Sequence, residues 1–263
     1  MVSTAVPDHF RIPGTFNYRD VGGLRTTAGA TVRGGVLLRS AQLCRLDERG
    51  HETLRDLGVS TVHDLRGPYE AERMGADLLP DGIRLEVTPF HARIGAPHEK
   101  SAGPDQPTAR EEENLAPHEA RHLNLLDVYT EFPSMPLAGA AITALARSLV
   151  RGDGAVLVHC AAGKDRTGWA VATLLRAVGV TEEDILADYL LSNHAMAALA
   201  DDMARNGSDA TATLPASLLG VSVEYLDAAT EAMHRNYGDL DGYFEAIGLT
   251  AELRAGLHTR LVG

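Results

Sequence analysis

Lysine is nearly absent from this chain. Of its 24 lysines and arginines only Lys100 and Lys164 are lysine, so the other 22 are arginine. Cysteine is equally scarce, with Cys44 and Cys160 alone. Two cysteines make no disulfide framework, and without a CxxC pair they offer no zinc site. No run of about 18 apolar residues occurs, so no transmembrane helix and no integral membrane association are expected. The opening MVSTAVPDHFRIPG has neither a basic n-region nor an apolar h-region. No secretory signal is therefore expected, and the cytoplasm is the default location, with signal-less export left open. Positive charge is also in deficit: 24 basic residues face 36 acidic ones, a net charge of −12. Such a chain is a poor prior for nucleic-acid or anionic-membrane partners. Any anion it binds must be held by a local site, since the overall field repels it.

What is present is ordinary globular material. Hydrophobic residues make up 44% and charged residues 23% of the 263, which excludes a disordered chain and allows a full core. Val36-Leu37-Leu38 reads as a strand. Asp47 reads as the N-cap of a helix carrying Leu54 and Leu57 and stopping at Gly58. Val59–Leu65 reads as the next strand and Arg84–Thr88 as a shorter one. Residues 92–118 turn polar and read as a long, mobile loop. Pro136 opens an apolar helix that Gly152-Asp153-Gly154 breaks. Ala155–Val158 follows as a fully apolar run that suits a buried central strand. Thr167–Val178 is apolar nearly all round, as a helix packed inside the protein must be. Thr181 caps another helix and Ser222 starts a further one. Residues 193–220 are small, polar-tipped and Ala-rich, with an Asn206-Gly207 turn. They read either as a lid over a site or as a surface excursion. Strands come first and helices mostly later, which points to an α/β core with a helical C-terminal half in a single domain over 1–263.

The chemistry concentrates in Val158-His159-Cys160-Ala161-Ala162-Gly163-Lys164-Asp165-Arg166-Thr167-Gly168, set between a buried strand and a buried helix. A loop in that position turns its backbone N–H groups toward one point, and the helix N-terminus adds its positive dipole end. Ala161, Ala162, Gly163, Lys164 and Thr167 would line an anion cradle of phosphate size with Cys160 at its floor. The same field stabilises a thiolate, aimed at a bound phosphorus. Arg166 offers a planar fork for two phosphoryl oxygens. A cysteine at a strand end is ordinarily a small buried hydrophobe, but the Gly, Arg and helix that follow favour the nucleophile. No metal or other cofactor is expected, because Arg166 and the amides supply the positive charge. His159 reads as a buried hydrogen-bonding residue that holds the loop. Thr167 reads as a helix cap, a donor to the sulfur, or both. Lys164 reads either as a contact for a second anionic group or as a solvated charge. Cys44 reads as ordinary packing.

His-Cys, five residues, then Arg is the signature of the cysteine-dependent protein tyrosine phosphatases, which the chain resembles at these positions. Asn17-Tyr18-Arg19-Asp20-Val21-Gly22-Gly23, Leu38-Arg39-Ser40 and Asp64-Leu65-Arg66 with Glu70 resemble the bacterial branch of that superfamily, which includes secreted mycobacterial enzymes acting on tyrosine phosphate and phosphoinositides. So do Leu218 to Tyr225 and Tyr237 to Tyr243. The likeness runs from Phe16 to the C-terminus. It implies an α/β fold with a central, mostly parallel sheet flanked by helices, a Cys-x5-Arg loop and extra C-terminal helices. It also implies phosphate monoester hydrolysis through a phosphocysteine.

Three substrate classes stay open: phosphotyrosine in proteins, phosphoinositides, and small phosphorylated metabolites. Bare walls at Ala161 and Ala162 and the want of a basic cluster favour the first and last. For the general acid Asp165 leads, since some lipid-active relatives end the loop similarly and use that Asp. Asp81 is second, and a purely structural Asp165 is third. Two rivals from other classes are a phosphate-binding module without turnover and a sulfurtransferase. The first should lack Cys160, Asp165 or Arg166, and all three are present.

Overall fold

The computed structural model describes residues 12–90, 117–205 and 219–263. Five strands form one sheet: β1 (Arg19–Asp20), β2 (Leu37–Ser40), β3 (Val59–Asp64), β4 (Arg84–Val87) and β5 (Ala155–His159). Their order is β1-β2-β5-β3-β4. Only β1 runs antiparallel to its neighbour; the other pairings are parallel. The AVLV run thus lies at the centre as β5, buried along its whole length. A parallel strand covered on both faces needs apolar side chains at every position.

Alternation along the strands sorts the core into two layers. Leu37, Val156 and Val158 face the larger one, with Trp169, Leu174, Leu145 and Met233. Leu38, Leu157 and Val62 face the other, with Leu54, Leu46 and Tyr18. The second layer is closed by α1 (Glu48–Asp56), whose N-cap Asp47 accepts from the Gly50 N–H. The first is closed by α4 (Pro136–Arg151), α5 (Asp165–Ala177), α8 (Val223–Tyr237) and α9 (Ala251–Leu261). Gly152 ends α4 with φ 79°, a left-handed turn that glycine makes without strain. In α5 every residue from Asp165 to Arg176 is buried. Two further helices complete the part the site uses: α2 (Pro68–Met74), and α6 (Glu182–Leu190), capped by Thr181. No described helix is long and apolar enough to cross a membrane.

Three elements differ from the sequence reading. The strand β1 is only two residues long and carries Arg19 and Asp20, so it leaves no apolar pattern. The helix α3 (Pro117–Glu131) begins at the last residues assigned to the 92–118 loop, the rest of which lies outside the described residues. Residues 193–220 are not a featureless excursion: α7 (Met196–Arg205) occupies their first part, consistent with the strong helix propensity of alanine. The Asn206-Gly207 turn falls outside the described residues.

Candidate active site

Cys160 follows β5 at the carboxyl edge of the sheet and is 2% exposed. The residues after it turn sharply into α5. Asn17 Nδ2 donates to the carbonyls of Ala162 and Gly163, at 3.0 Å each. Arg39 Nη2 donates to Gly163 O at 2.9 Å. The Gln42 N–H donates to Ala161 O at 3.1 Å. Three successive carbonyls are thereby pinned outward. Because a trans peptide sets N–H opposite C=O, the amides of residues 162–164 face the concave side, beside the first turn of α5. The loop read from the sequence as an anion cradle thus owes its shape to the N-terminal segment. Gly163 has φ +67°, and a Cβ there would come within 2.0 Å of Ser40 O, so no other residue fits.

Behind the loop sits a buried trio. Asp188 Oδ1 accepts from Arg19 Nε at 2.7 Å, and Oδ2 accepts from Arg39 Nη1 at 2.6 Å. Burial pushes the Asp188 carboxyl up, but the two guanidiniums outweigh it and hold it below the usual carboxylate range. Burial, with Arg39 adding to it, pushes Arg19 down to about 10. Gly168 leaves room for this packing, since a Cβ would meet the Tyr189 ring at 2.9 Å.

Arg166 is held on the opposite side. Glu70, from the first turn of α2, takes its two terminal nitrogens at 2.5 and 2.7 Å. The same carboxylate accepts from the Gly67 N–H at 2.9 Å, so its position is fixed by the helix it caps. Burial opposes the charge on Arg166, and Glu70 followed by Cys160 more than offsets it.

His159 is buried beside the loop. Its Nδ1 lies 3.0 Å from Cys160 O and its Nε2 lies 2.8 Å from Asp77 Oδ2. Both partners are acceptors, which favours a proton on each ring nitrogen. The imidazole's preference for protonation is raised accordingly: burial lowers it, and Asp77 then Asp64 overcome that. Asp64, Asp77 and His159 bring ligand atoms within 4.8 Å of one another, the spacing a metal site would use. Here Arg66 lies across both carboxylates, with Nη2 2.8 Å from Asp64 and 2.9 Å from Asp77. The positive charge a cation would bring is already supplied.

Asp165 opens α5 and is buried. Its Oδ1 accepts from the Tyr129 hydroxyl at 2.8 Å, and that hydroxyl is 2.7 Å from Tyr189 Oη. Burial and the Asp165 charge push both phenols well above their ordinary range, so they stay neutral. Lys164 is 3% exposed, which removes the solvated-charge reading. Its Nζ lies 3.4 Å from Asp165 Oδ2 and donates to Gly220 O at 3.2 Å.

Thr167 does not cap the helix. Helix α5 begins two residues earlier with Lys164 at the N-cap, and the buried Thr167 hydroxyl has no hydrogen-bond partner among the described residues. Asp81 falls away as an acid. It is exposed in the turn that enters β4, and β4 runs parallel to β3, so Asp81 lies at the edge opposite Cys160. The half-buried Cys44 thiol is pushed up by burial, as ordinary packing implies.

The ends of residues 193–220 meet next to Lys164. The Asn193 side chain clasps the Val221 backbone, donating at 3.0 Å and accepting at 2.7 Å. From α7, Asp202 accepts from Gln42 Nε2 at 2.9 Å and pairs with Arg45 at 3.2 Å. So α7 touches the residue that pins Ala161. Residues 206–218 lie outside those described.

Residues 10–263 match the model of the tyrosine phosphatase family. The chain belongs to this family. Triple specificity protein phosphatase PtpB of Mycobacterium tuberculosis is 35% identical over 265 residues, covering 91% of this chain and 94% of that protein. A tyrosine-protein phosphatase of Nostoc commune is 28% identical over 244 residues, covering 86% and 74%. The crystal structure of P. aeruginosa TpbA aligns over 83% of this chain and 90% of that one, with a TM-score of 0.37 and 17% identity, a likeness too loose to argue from.

In this tyrosine phosphatase the sequence-predicted residues Cys160 to Arg166 come together as one loop. Asn17, Arg19, Arg39, Arg66 and Glu70 stood out in the sequence only as parts of family-like motifs. Gln42, Asp77, Tyr129 and Asp188 did not stand out at all. For Asp188 a signal existed: it shares a helical face with Ile185, and an acid on an apolar face needs a buried partner.

Proposed function

We propose that this tyrosine phosphatase hydrolyses phosphate monoesters through a phosphocysteine at Cys160, with no metal. The observation that carries this reading is the loop itself: three carbonyls pinned outward around a buried cysteine, with Arg166 held by Glu70. The Cys160 thiolate attacks phosphorus in line, the S–P bond forms, and the P–O bond to the leaving group breaks. Arg166 and the loop amides stabilise charge on the equatorial oxygens. Asp165 gives its proton to the leaving oxygen. Water then attacks phosphorus, the S–P bond breaks, the water proton returns to Asp165, and phosphate departs. The Thr167 hydroxyl, which has no hydrogen-bond partner among the described residues, is the donor we assign to the departing sulfur.

Phosphotyrosine is the substrate class we favour. PtpB is named a triple specificity protein phosphatase, and Ala161 and Ala162 add no charge to the walls. The test is a phosphatase screen with chelator present, across phosphopeptides, phosphoinositides, and sugar and nucleotide phosphates. Turnover of phosphotyrosine peptides is expected to lead and to survive the chelator. Activity confined to inositides or metabolites would reassign the substrate, and loss of all activity with chelator would reassign the mechanism.

Asp165→Asn tests the acid. Tyr129 donates to its Oδ1 and Lys164 lies beside its Oδ2. Phenyl phosphate leaves as a basic phenolate and needs the proton; p-nitrophenolate barely does. The variant should slow phenyl phosphate hydrolysis about 100-fold and p-nitrophenyl phosphate hydrolysis far less. A uniform loss would make Asp165 a loop-shaping residue acting through Tyr129.

A further inference from the structure

We propose that Asp188 is a positioning residue for phosphate binding, aligning the loop from behind through Arg19 and Arg39. The proposal rests on the loop being the phosphate site.

Two routes run from one carboxylate to the loop carbonyls. On the first, Asp188 Oδ2 holds Arg39 Nη1, and the other arm of that guanidinium reaches Gly163 O. On the second, Asp188 Oδ1 holds Arg19 Nε, and Arg19 Nη1 donates to Asn17 Oδ1 at 2.7 Å. That bond decides which way the Asn17 amide faces, because the oxygen must meet the donor. Its Nδ2 is thereby aimed at Ala162 O and Gly163 O. Arg19 is fixed further by the Asp188 carbonyl and Ser192 Oγ. The Asn17 and Arg39 contacts to those two carbonyls therefore both trace back to Asp188. The residue sits behind the loop, so it acts through these groups and is not itself catalytic. Two guanidiniums against one carboxylate also leave a net positive charge behind the loop, in a chain whose total is −12.

Alignment and charge predict opposite results for Asp188→Asn. That variant removes a negative charge near an anion site. If charge alone mattered, phosphate would bind more tightly. If alignment matters, the arginines lose their shared acceptor, the carbonyls lose their anchors, and phosphate binds more weakly. A merely structural ion pair would lower the melting temperature and leave the affinity of the folded protein unchanged.

The full chain, Asp188→Asn and Asn17→Gly would be titrated with inorganic phosphate by calorimetry, with circular dichroism to confirm folding. The kcat and KM on p-nitrophenyl phosphate would be measured in parallel. Asn17 has φ 53°, which glycine adopts freely, so its variant removes the relay without straining the backbone. It also keeps the proposal testable if Asp188→Asn does not fold. Phosphate affinity is expected to fall about 10–100-fold in both, the usual weight of groups that orient direct ligands, with KM raised and kcat lowered together. Unchanged or tighter phosphate binding in either folded variant overturns the proposal. A wild type that binds no phosphate overturns the reading of the loop itself, and the proposal with it.

Discussion

Cys160→Ser is expected to abolish turnover and to leave phosphate binding standing. A serine hydroxyl is a far weaker nucleophile than a thiolate. A loss of about 10⁴-fold or more in kcat is expected, on the scale seen when a covalent nucleophile is removed. The cradle does not depend on the sulfur. Its carbonyls are held by Asn17, Arg39 and Gln42, and Arg166 is held by Glu70. The variant should therefore still titrate with phosphate, and vanadate should inhibit the wild type competitively. Appreciable hydrolysis by Cys160→Ser would sink the covalent mechanism.

Arg166→Lys is the second large effect. The substitution keeps the charge and loses the fork. Glu70 now receives two parallel bonds from Arg166, and an ammonium cannot reproduce them. Two errors then compound: one fewer directed donor on the equatorial oxygens, and a cation no longer fixed in place. Losing one preorganised donor of this kind costs about 10²–10³ in kcat, and steady-state kinetics on p-nitrophenyl phosphate should show at least that. Near-normal turnover would mean that the phosphate sits elsewhere.

The run from β5 through α5 was legible in the sequence because its causes are local. An apolar strand, a glycine, an arginine and an all-apolar helix follow one another within about two dozen residues, and each reads without knowing its neighbours in space. The groups that shape the loop were not legible, because their roles exist only after the chain has folded. Asp188 is one acid among 36 acidic residues until Arg19 and Arg39 are brought against it. Tyr129 lies in α3, where the sequence reading assigned no element at all. The rejection of Asp81 was within reach. The helix α2 between β3 and β4 is a crossover of the kind that joins parallel strands, and the residue before a parallel strand lies at the edge opposite the one after it. Lys164 was half legible. Its rarity marked it, but its bond to Gly220 O needed the fold.

The cradle also sets an order of events during synthesis and folding. Its contacts join residues 146 apart for Asn17 and Gly163, 124 apart for Arg39 and Gly163, 96 apart for Glu70 and Arg166, and 169 apart for Arg19 and Asp188. Each closes a long loop before it returns any stabilisation, and chains dominated by such pairings fold slowly. A nascent chain that has exposed Cys160 and Arg166 still lacks Asp188, which emerges later. Cys160 is made before the acid that anchors the groups around its loop, so the loop takes its shape only with the complete tertiary structure.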